Sequence, residues 1–558
     1  MKTRYSNLFM GKMCIVAAVA MAFGLSSCDE DLLVKNPPSE ISNGNFWTGE
    51  SDAKLALVGC YTSSNGWNHD NFDSPQGMLY LDFAGGNGTE KENFTSLMCS
   101  TNTLATNSNL RYYWSNAYTN IANCNTFLDN IESCKMDESK IKAWSAEVKC
   151  IRASFLMKLA FHYKDVPMPL TTLSIEDANT IGQTPQQQVY DQCEKDLLEA
   201  VSLLPLEYSS EDYGRYTQGA ARALLGRLYL AEDRWADAAA QYKAIIDSRK
   251  YEIDRSHGED SYEKLFWYGG ENSKENIFFI NGAKGQYTWS RYIYLTPETY
   301  GGWHQFAVYN ELVKDYFCKD GLSIDESPLY NKQDPYANRE VRLYASVFLP
   351  PVGTYPGTVF NGQVYDCYNG GSSSDAYNKF NLFNGYCPKK GLDPSNEDIW
   401  SAYVYVPVIR YAEVLLSYLE AVNEYAPSQV DQTLLDLTIN DIRDRALLPG
   451  LDKNKLSSQE AVRQAVRKER RVELAFEGLR LFDVLRWGIA DKELNHYFTG
   501  VLLSDDPSAH NYGGNSAKDA DGYYQFEQRA WASHNRYWPI PQNDLNVNKS
   551  LVQNEGYN

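Results

Sequence analysis

The stretch YTWSRYIYLTPETYGGWHQF, residues 287–306, holds seven aromatic side chains in twenty positions: Tyr287, Trp289, Tyr292, Tyr294, Tyr300, Trp303 and Phe306. The aliphatic residues that accompany rings in a core are nearly absent from it. Pro297, Gly301 and Gly302 interrupt any regular element, so the segment reads as a loop. Exposed indoles and phenols can lie flat on the apolar C–H face of a sugar ring, while polar neighbours bond its hydroxyl rim. Trp303, Trp289, Tyr287 and Tyr292 supply the rings here; Arg291, His304 and Gln305 supply donors and acceptors. A second irregular stretch, GWNHDNFDSPQGM, adds Trp67, Asn68, Asp70 and Asp73, and Tyr386 and Lys389 are outlying candidates. That chemistry is carbohydrate binding, with no catalytic residue.

Other chemistries find less support. In RKERRVELAFEGLRLFDVLRWG, Glu473, Glu477, Arg480 and Asp483 recur at helical spacing and could be read as a general acid and base pair. The alternative is an ion-pair lattice along a helix, with Leu474, Phe476, Leu481, Phe482 and Trp487 facing inward. The lattice is the expectation. The seven histidines never fall in HxxxH or HxH, and DADG at 519–522 is a fragment of a calcium loop. No cofactor is expected; a structural calcium ion is the one metal left open.

These loops need a scaffold. The chain has 558 residues, 43% hydrophobic and 13% aromatic, and carries a net charge of −20, which excludes nucleic acid and electrostatic docking on anionic lipid. Its first residues, MKTRYSNLFMGKM, are basic; CIVAAVAMAFGL is apolar but too short to span a membrane; SSC follows. That order predicts a signal peptide over residues 1–27, and Leu25-Ser26-Ser27-Cys28 resembles a bacterial lipobox with Cys28 as the lipidated first mature residue. The expected site is the cell outer membrane, with the chain anchored by its lipid and exposed at the surface. The remaining nine cysteines show no CxxC or zinc spacing and are expected to be buried apolar groups outside any disulfide framework.

Helical periodicity dominates Arg111 to about His162, a second block opening at Thr184-Pro185 with Thr184 as the expected cap, and a third from VPVIRYAEVLL onward. In QGAARALLGRLYLAEDRWADAAAQYKAIIDS, Leu225, Gly226, Tyr229, Trp235, Ala238 and Tyr242 fall on the spacing of a tetratricopeptide helix pair. One such pair cannot bury its own apolar face, so others must stack on it. The fold class is mainly α: a helical scaffold over about 40–62, 109–252 and 403–490 plus the C-terminal tail, with a loop-rich aromatic cap over about 63–108 and 253–402, all one domain from residue 28 to 558. The tail YWPIPQNDLNVN is expected to dock back on the helices.

Taken together, EVKCIRASFLMKLAFHYKDVPM, ARALLGRLYLAEDRWADAAAQYKAII, DPYANREVRLYAS, VIRYAEVLLSYLEAVNE, RKERRVELAFEGLRLFDVLRWG and YWPIPQNDLNVNKSLVQNEGY resemble the SusD/RagB family of Bacteroidetes outer-membrane lipoproteins, in order and over nearly the whole chain. The resemblance implies about four tetratricopeptide-like units and a non-enzymatic glycan-binding role. It also implies a TonB-dependent SusC-like transporter as partner, beneath a lid that opens and closes on a hinge. The loop before Gly302-Trp303 corresponds to one that contributes stacking aromatics in the family's starch-binding prototype, so Trp303 is the first residue carried across. A surface glycoside hydrolase, or a relative that captures peptide or another nutrient, are the competing readings.

Overall fold

The computed structural model describes residues 46–61, 72–91, 95–282, 291–368, 375–379, 383–396, 398–400, 402–403 and 405–557, without the side chains of residues 210 and 291. Its longer helices are α1 (Glu50–Tyr61), α2 (Pro75–Asp82), α3 (Ser108–Asn130), α4 (Glu138–Tyr163), α5 (Gln186–Leu203), α6 (Gln218–Ala231), α7 (Trp235–Asp247), α8 (Tyr411–Tyr425), α9 (Gln459–Glu473) and α10 (Arg480–Arg486). The fold is mainly α.

Caps written in the sequence start several of these helices. Asn107 accepts from Asn109 and Leu110 N–H, Thr217 from Ala220 N–H and Ser458 from Ala461 N–H, each satisfying donors that a helix leaves open. α5 departs from expectation. Thr184 pairs with Val166 across a bridge, and the Asp165 carboxylate accepts from Gln186 N–H at 2.9 Å. The cap comes from the end of the preceding helical block, which local sequence could not show.

From α3 to α9 each helix packs on the next, although α7 and α8 lie more than 160 residues apart. At the α6–α7 crossing, a β-carbon on Gly226 would stand 2.5 Å from the Tyr242 ring, so only glycine lets the two helices approach this closely. Tyr229 and Tyr242 are buried there, as the repeat spacing predicts. α4 is buried on almost every side along its C-terminal half, which fits its position at the centre of the array. The tail closes over it. Trp538 is buried, stacks on His162 at 4.2 Å and 15°, and donates its backbone N–H to His162 O, while Asn554 Nδ2 donates to Tyr163 O and Trp538 O. All nine cysteines of the described residues are buried and free.

Short antiparallel pairs order the irregular segments, and one of them, β2 with β4, ties the cap to the scaffold. β1 (Gly88–Glu90) pairs with β3 (Phe306–Val308), β2 (Asn276–Asn281) with β4 (Tyr405–Arg410), and β5 (Tyr497–Leu502) with β6 (Tyr523–Gln528). Beneath them lies a buried ionic cluster of Arg342, Arg410, Arg443, Arg445 and Lys390 with Glu275, Glu340, Glu469, Glu473 and Glu477. Five cations face five anions, so the cluster is balanced. The helical lattice expected around Glu473 and Glu477 is thus a three-dimensional one, its cations coming from residues 28 to 131 positions away. Asp483 binds Arg470 and Arg486, and Arg480 binds Glu493. The guanidinium groups of Arg445, Arg410 and Arg342 hold the Glu473 carboxyl far below the usual carboxylate range, against a burial that alone would raise it. A carboxylate so paired cannot serve as a general acid.

Candidate functional site

The segment that carries Trp303 is a braced turn. Arg291–Leu295 forms a single helical turn, Pro297 ends it, and Glu298–Tyr300 make a 3₁₀ turn. Gly301 takes a left-handed conformation at φ 85°, and a β-carbon on Gly302 would stand 2.0 Å from Thr296 O, so both positions need glycine. The chain then doubles back: Trp303 N–H donates to Ile293 O, His304 N–H to Thr296 O and Gln305 N–H to Tyr294 O. From 71 to 77 residues downstream, Asp375 clasps the turn. Its Oδ1 accepts from Glu298 N–H at 2.8 Å and from His304 Nδ1–H at 2.7 Å; its Oδ2 accepts from Thr299 N–H at 2.8 Å and from the Thr299 hydroxyl at 2.5 Å. A carboxylate only accepts, so His304 carries its proton on Nδ1. Lys379 adds an ion pair to Glu298 at 2.7 Å. Burial would raise the Asp375 carboxyl, but the hydrogen bond and charge of His304, then the Thr299 donors, hold it at about 2.

On this pedestal the Trp303 indole is 40% exposed. It meets Tyr294 edge-on at 5.0 Å and Trp400 edge-on at 5.5 Å, and Trp400 is itself 60% exposed. Edge-to-face packing fixes each ring while leaving ring surface open to solvent. Trp400 was not among the residues singled out from sequence. The signal was present: a lone indole in the polar, irregular SNEDIWSAY. The backbone N–H of Trp400 donates to Asp398 Oδ1 at 2.9 Å, which shapes the turn that delivers the ring.

Several other candidates are not at this surface. Tyr292 is buried and donates its hydroxyl to Asp393 O at 2.6 Å; the helical turn around it directs its ring inward. Burial, then the Asp393 charge, raises its phenol well above the usual range. His304 is buried with Asp375 against Phe383, so it braces the turn and does not offer a donor to solvent. Asp73 is buried and paired with Lys158 of α4 at 2.5 Å. Tyr386 is buried and bonded to the Tyr336 hydroxyl, and Lys389 pairs with Glu263. Gln305 is half-buried behind Trp303. Tyr287, Trp289, Trp67, Asn68, Asp70, Cys28 and the Arg291 side chain lie outside the described residues. At DADG, Asp519 Oδ1 accepts from Asp521 and Tyr523 N–H and Asp521 pairs with Lys332, so the carboxylates are engaged within the protein. Among the described residues no group of three or more His, Cys, Asp or Glu side chains could hold a metal ion.

A family model described as the SusD family matches residues 265–557, more than half of the chain. The chain belongs to the SusD family. A second model, described as starch-binding and associating with the outer membrane, matches residues 65–230. SusD-like relatives include one from Formosa agariphila, 24% identical over 85% of this chain and 90% of its own, and one from Bacteroides ovatus, 23% identical over 92% and 91%. A SusD-like carbohydrate-binding protein from Bacteroides fragilis superposes with a TM-score of 0.81 at 28% identity, covering 91% of this chain and all of that one. A laminarin-binding SusD-like protein superposes at 0.64 with 22% identity, covering 92% and 100%. The SusD-family scaffold of tetratricopeptide-like helices is therefore the fold of this chain. No helix among its described residues is long and apolar enough to cross a membrane.

Proposed function

We propose that this SusD-family chain is a non-enzymatic glycan-binding lipoprotein of the cell surface, which holds oligo- or polysaccharide on Trp303 and Trp400. The observation that carries this reading is the pair of edge-braced, solvent-open indoles on a turn fixed by Gly302 and Asp375. Relatives whose names record carbohydrate and laminarin binding support it. So do the acids of the 467–488 segment, which are committed to buried ion pairs and leave a hydrolase no free acid–base pair there. Cys28 serves as the lipid anchor, the bound glycan passes to a TonB-dependent SusC-like transporter, and no cofactor takes part.

Weak binding suits such a hand-over. A stacked ring and a net hydrogen bond contribute about 1 kcal/mol each. Less the ordering cost of a flexible strand, roughly −4 to −6 kcal/mol remains, or millimolar to tens of micromolar. The test is electrophoresis through gels containing neutral polysaccharides, laminarin and starch included, with a parallel assay for new reducing ends. Wild type is expected to be retarded by at least one polysaccharide without releasing reducing ends. Trp303→Ala and Trp400→Ala should each weaken retardation about fivefold. Turnover, no retardation in any gel, or unchanged retardation of both variants would overturn the assignment.

A further inference from the structure

Away from Trp303 a second set of rings stands open. Tyr268 is 58% exposed and Tyr213 is 52% exposed. Neither swings freely. Tyr268 meets buried Tyr403 edge-on at 4.8 Å and 87°, and its N–H donates to Asp393 Oδ2 at 3.2 Å. Tyr213 donates its hydroxyl to Glu271 O at 2.8 Å, and its ring rests on Phe279 at 5.4 Å. Tyr403 donates its own hydroxyl to Asn281 Oδ1. Phe279, Tyr403 and Tyr405 form a small buried cluster separate from the main core. This satellite core lies directly beneath the two exposed phenols.

The two ring sets share one loop. Trp400 and Tyr403 are three residues apart, so their α-carbons lie within about 11 Å. Trp400 meets Trp303 and Tyr403 meets Tyr268. Asp393, where the loop begins, binds the backbone N–H of Tyr268 through its carboxylate and the Tyr292 hydroxyl through its carbonyl. Exposed Asn272 and Asn281 rim the second set with amides, and Glu271 and Asp398 add carboxylates.

We infer that Tyr268 and Tyr213 form a second carbohydrate subsite, continuous with Trp303 and Trp400 through Asp393, Trp400 and Tyr403, and that the ligand is an extended neutral glycan strand. Scattered single rings on a surface need no explanation. Four exposed rings, each packed against a partner ring and linked through Asp393, Trp400 and Tyr403, form a track. The carboxylates on its rim, with a net charge of −20, disfavour uronate-rich or sulfated chains. The inference rests on the glycan reading above and adds the length and charge class of the ligand.

The test is calorimetry on the full chain with the polysaccharide that retards wild type most strongly, using its di- and trisaccharide fragments and its fragments of eight or more sugars. Tyr268→Ala and Tyr213→Ala are each expected to weaken long-fragment binding about fivefold and leave short-fragment binding unchanged. Tyr268→Phe, which keeps the ring, should match wild type, and Trp303→Ala should weaken both fragment classes. Unchanged long-fragment affinity in both alanine variants, or an equal loss for short and long fragments, would overturn the second subsite while leaving the first intact. A wild type that binds no neutral glycan would overturn both readings together.

Discussion

Removing the Asp375 carboxylate should loosen the turn beneath Trp303 and cost stability and affinity together. In Asp375→Ala four donors lose their acceptor: the part-buried N–H groups of Glu298 and Thr299 and the Thr299 hydroxyl, and the buried His304 Nδ1–H. Breaking one partner of a buried charged network costs about 3–5 kcal/mol, more than the hydrogen bonds contribute net, because the donors stay desolvated. Asp375→Asn keeps one acceptor oxygen and turns an amide donor toward donors, for a loss of about 2 kcal/mol. The pH dependence has a defined sign. A carboxyl held at about 2 against its ordinary 3.8 stabilises the fold by about 2 kcal/mol above the higher value. That contribution is lost as pH falls from there through about 2. Urea unfolding of wild type and Asp375→Asn between pH 7 and pH 2 measures it: the two should converge at the acid end. The same variants run in polysaccharide gels should show Trp303→Ala-like weakening. Destabilised variants that bind as wild type does would show that Asp375 supports the fold without setting the ring. Variants of unchanged stability would refute the clasp itself.

Two further outcomes follow from the same packing. Gly302→Ala places a methyl 2.0 Å from Thr296 O, and the backbone shift that relieves it should cost about 1–3 kcal/mol in urea unfolding and lower gel retardation as Trp303→Ala does. Arg410→Met leaves Glu275, Glu473 and Glu477 short of a cation they share, and the unfolding midpoint should fall by the equivalent of about 3–5 kcal/mol, with no effect on which polysaccharide is bound.

The helical half of the molecule was legible because periodicity and small-residue spacing are local. Gly226 and Tyr242 announce a close crossing, and the aliphatic and aromatic content of the tail announces burial. The site was legible only in part, since long-range partners decide which rings face water. Within one aromatic stretch Tyr292 turns inward because a single helical turn forms at Arg291–Leu295, and Trp303 turns outward because two glycines permit a reversal. His304 is neutralised as a surface donor by an aspartate 71 positions later, and Asp73 by a lysine on α4. No window of sequence contains those pairs. Trp400 was missed for a different reason: attention to ring density passes over a single indole, although one indole at the right place completes a pair.

The docking of Trp538 and Asn554 on α4 has a consequence for shortened chains. The floor beneath the earliest long helices is laid by residues near 540, so a chain that stops short of them leaves His162, Tyr113 and Phe72 without the indole that packs on all three. A truncated product keeps this greasy patch in view of chaperones and proteases. The tail from Trp538 onward is therefore part of the core and not an appendage to it.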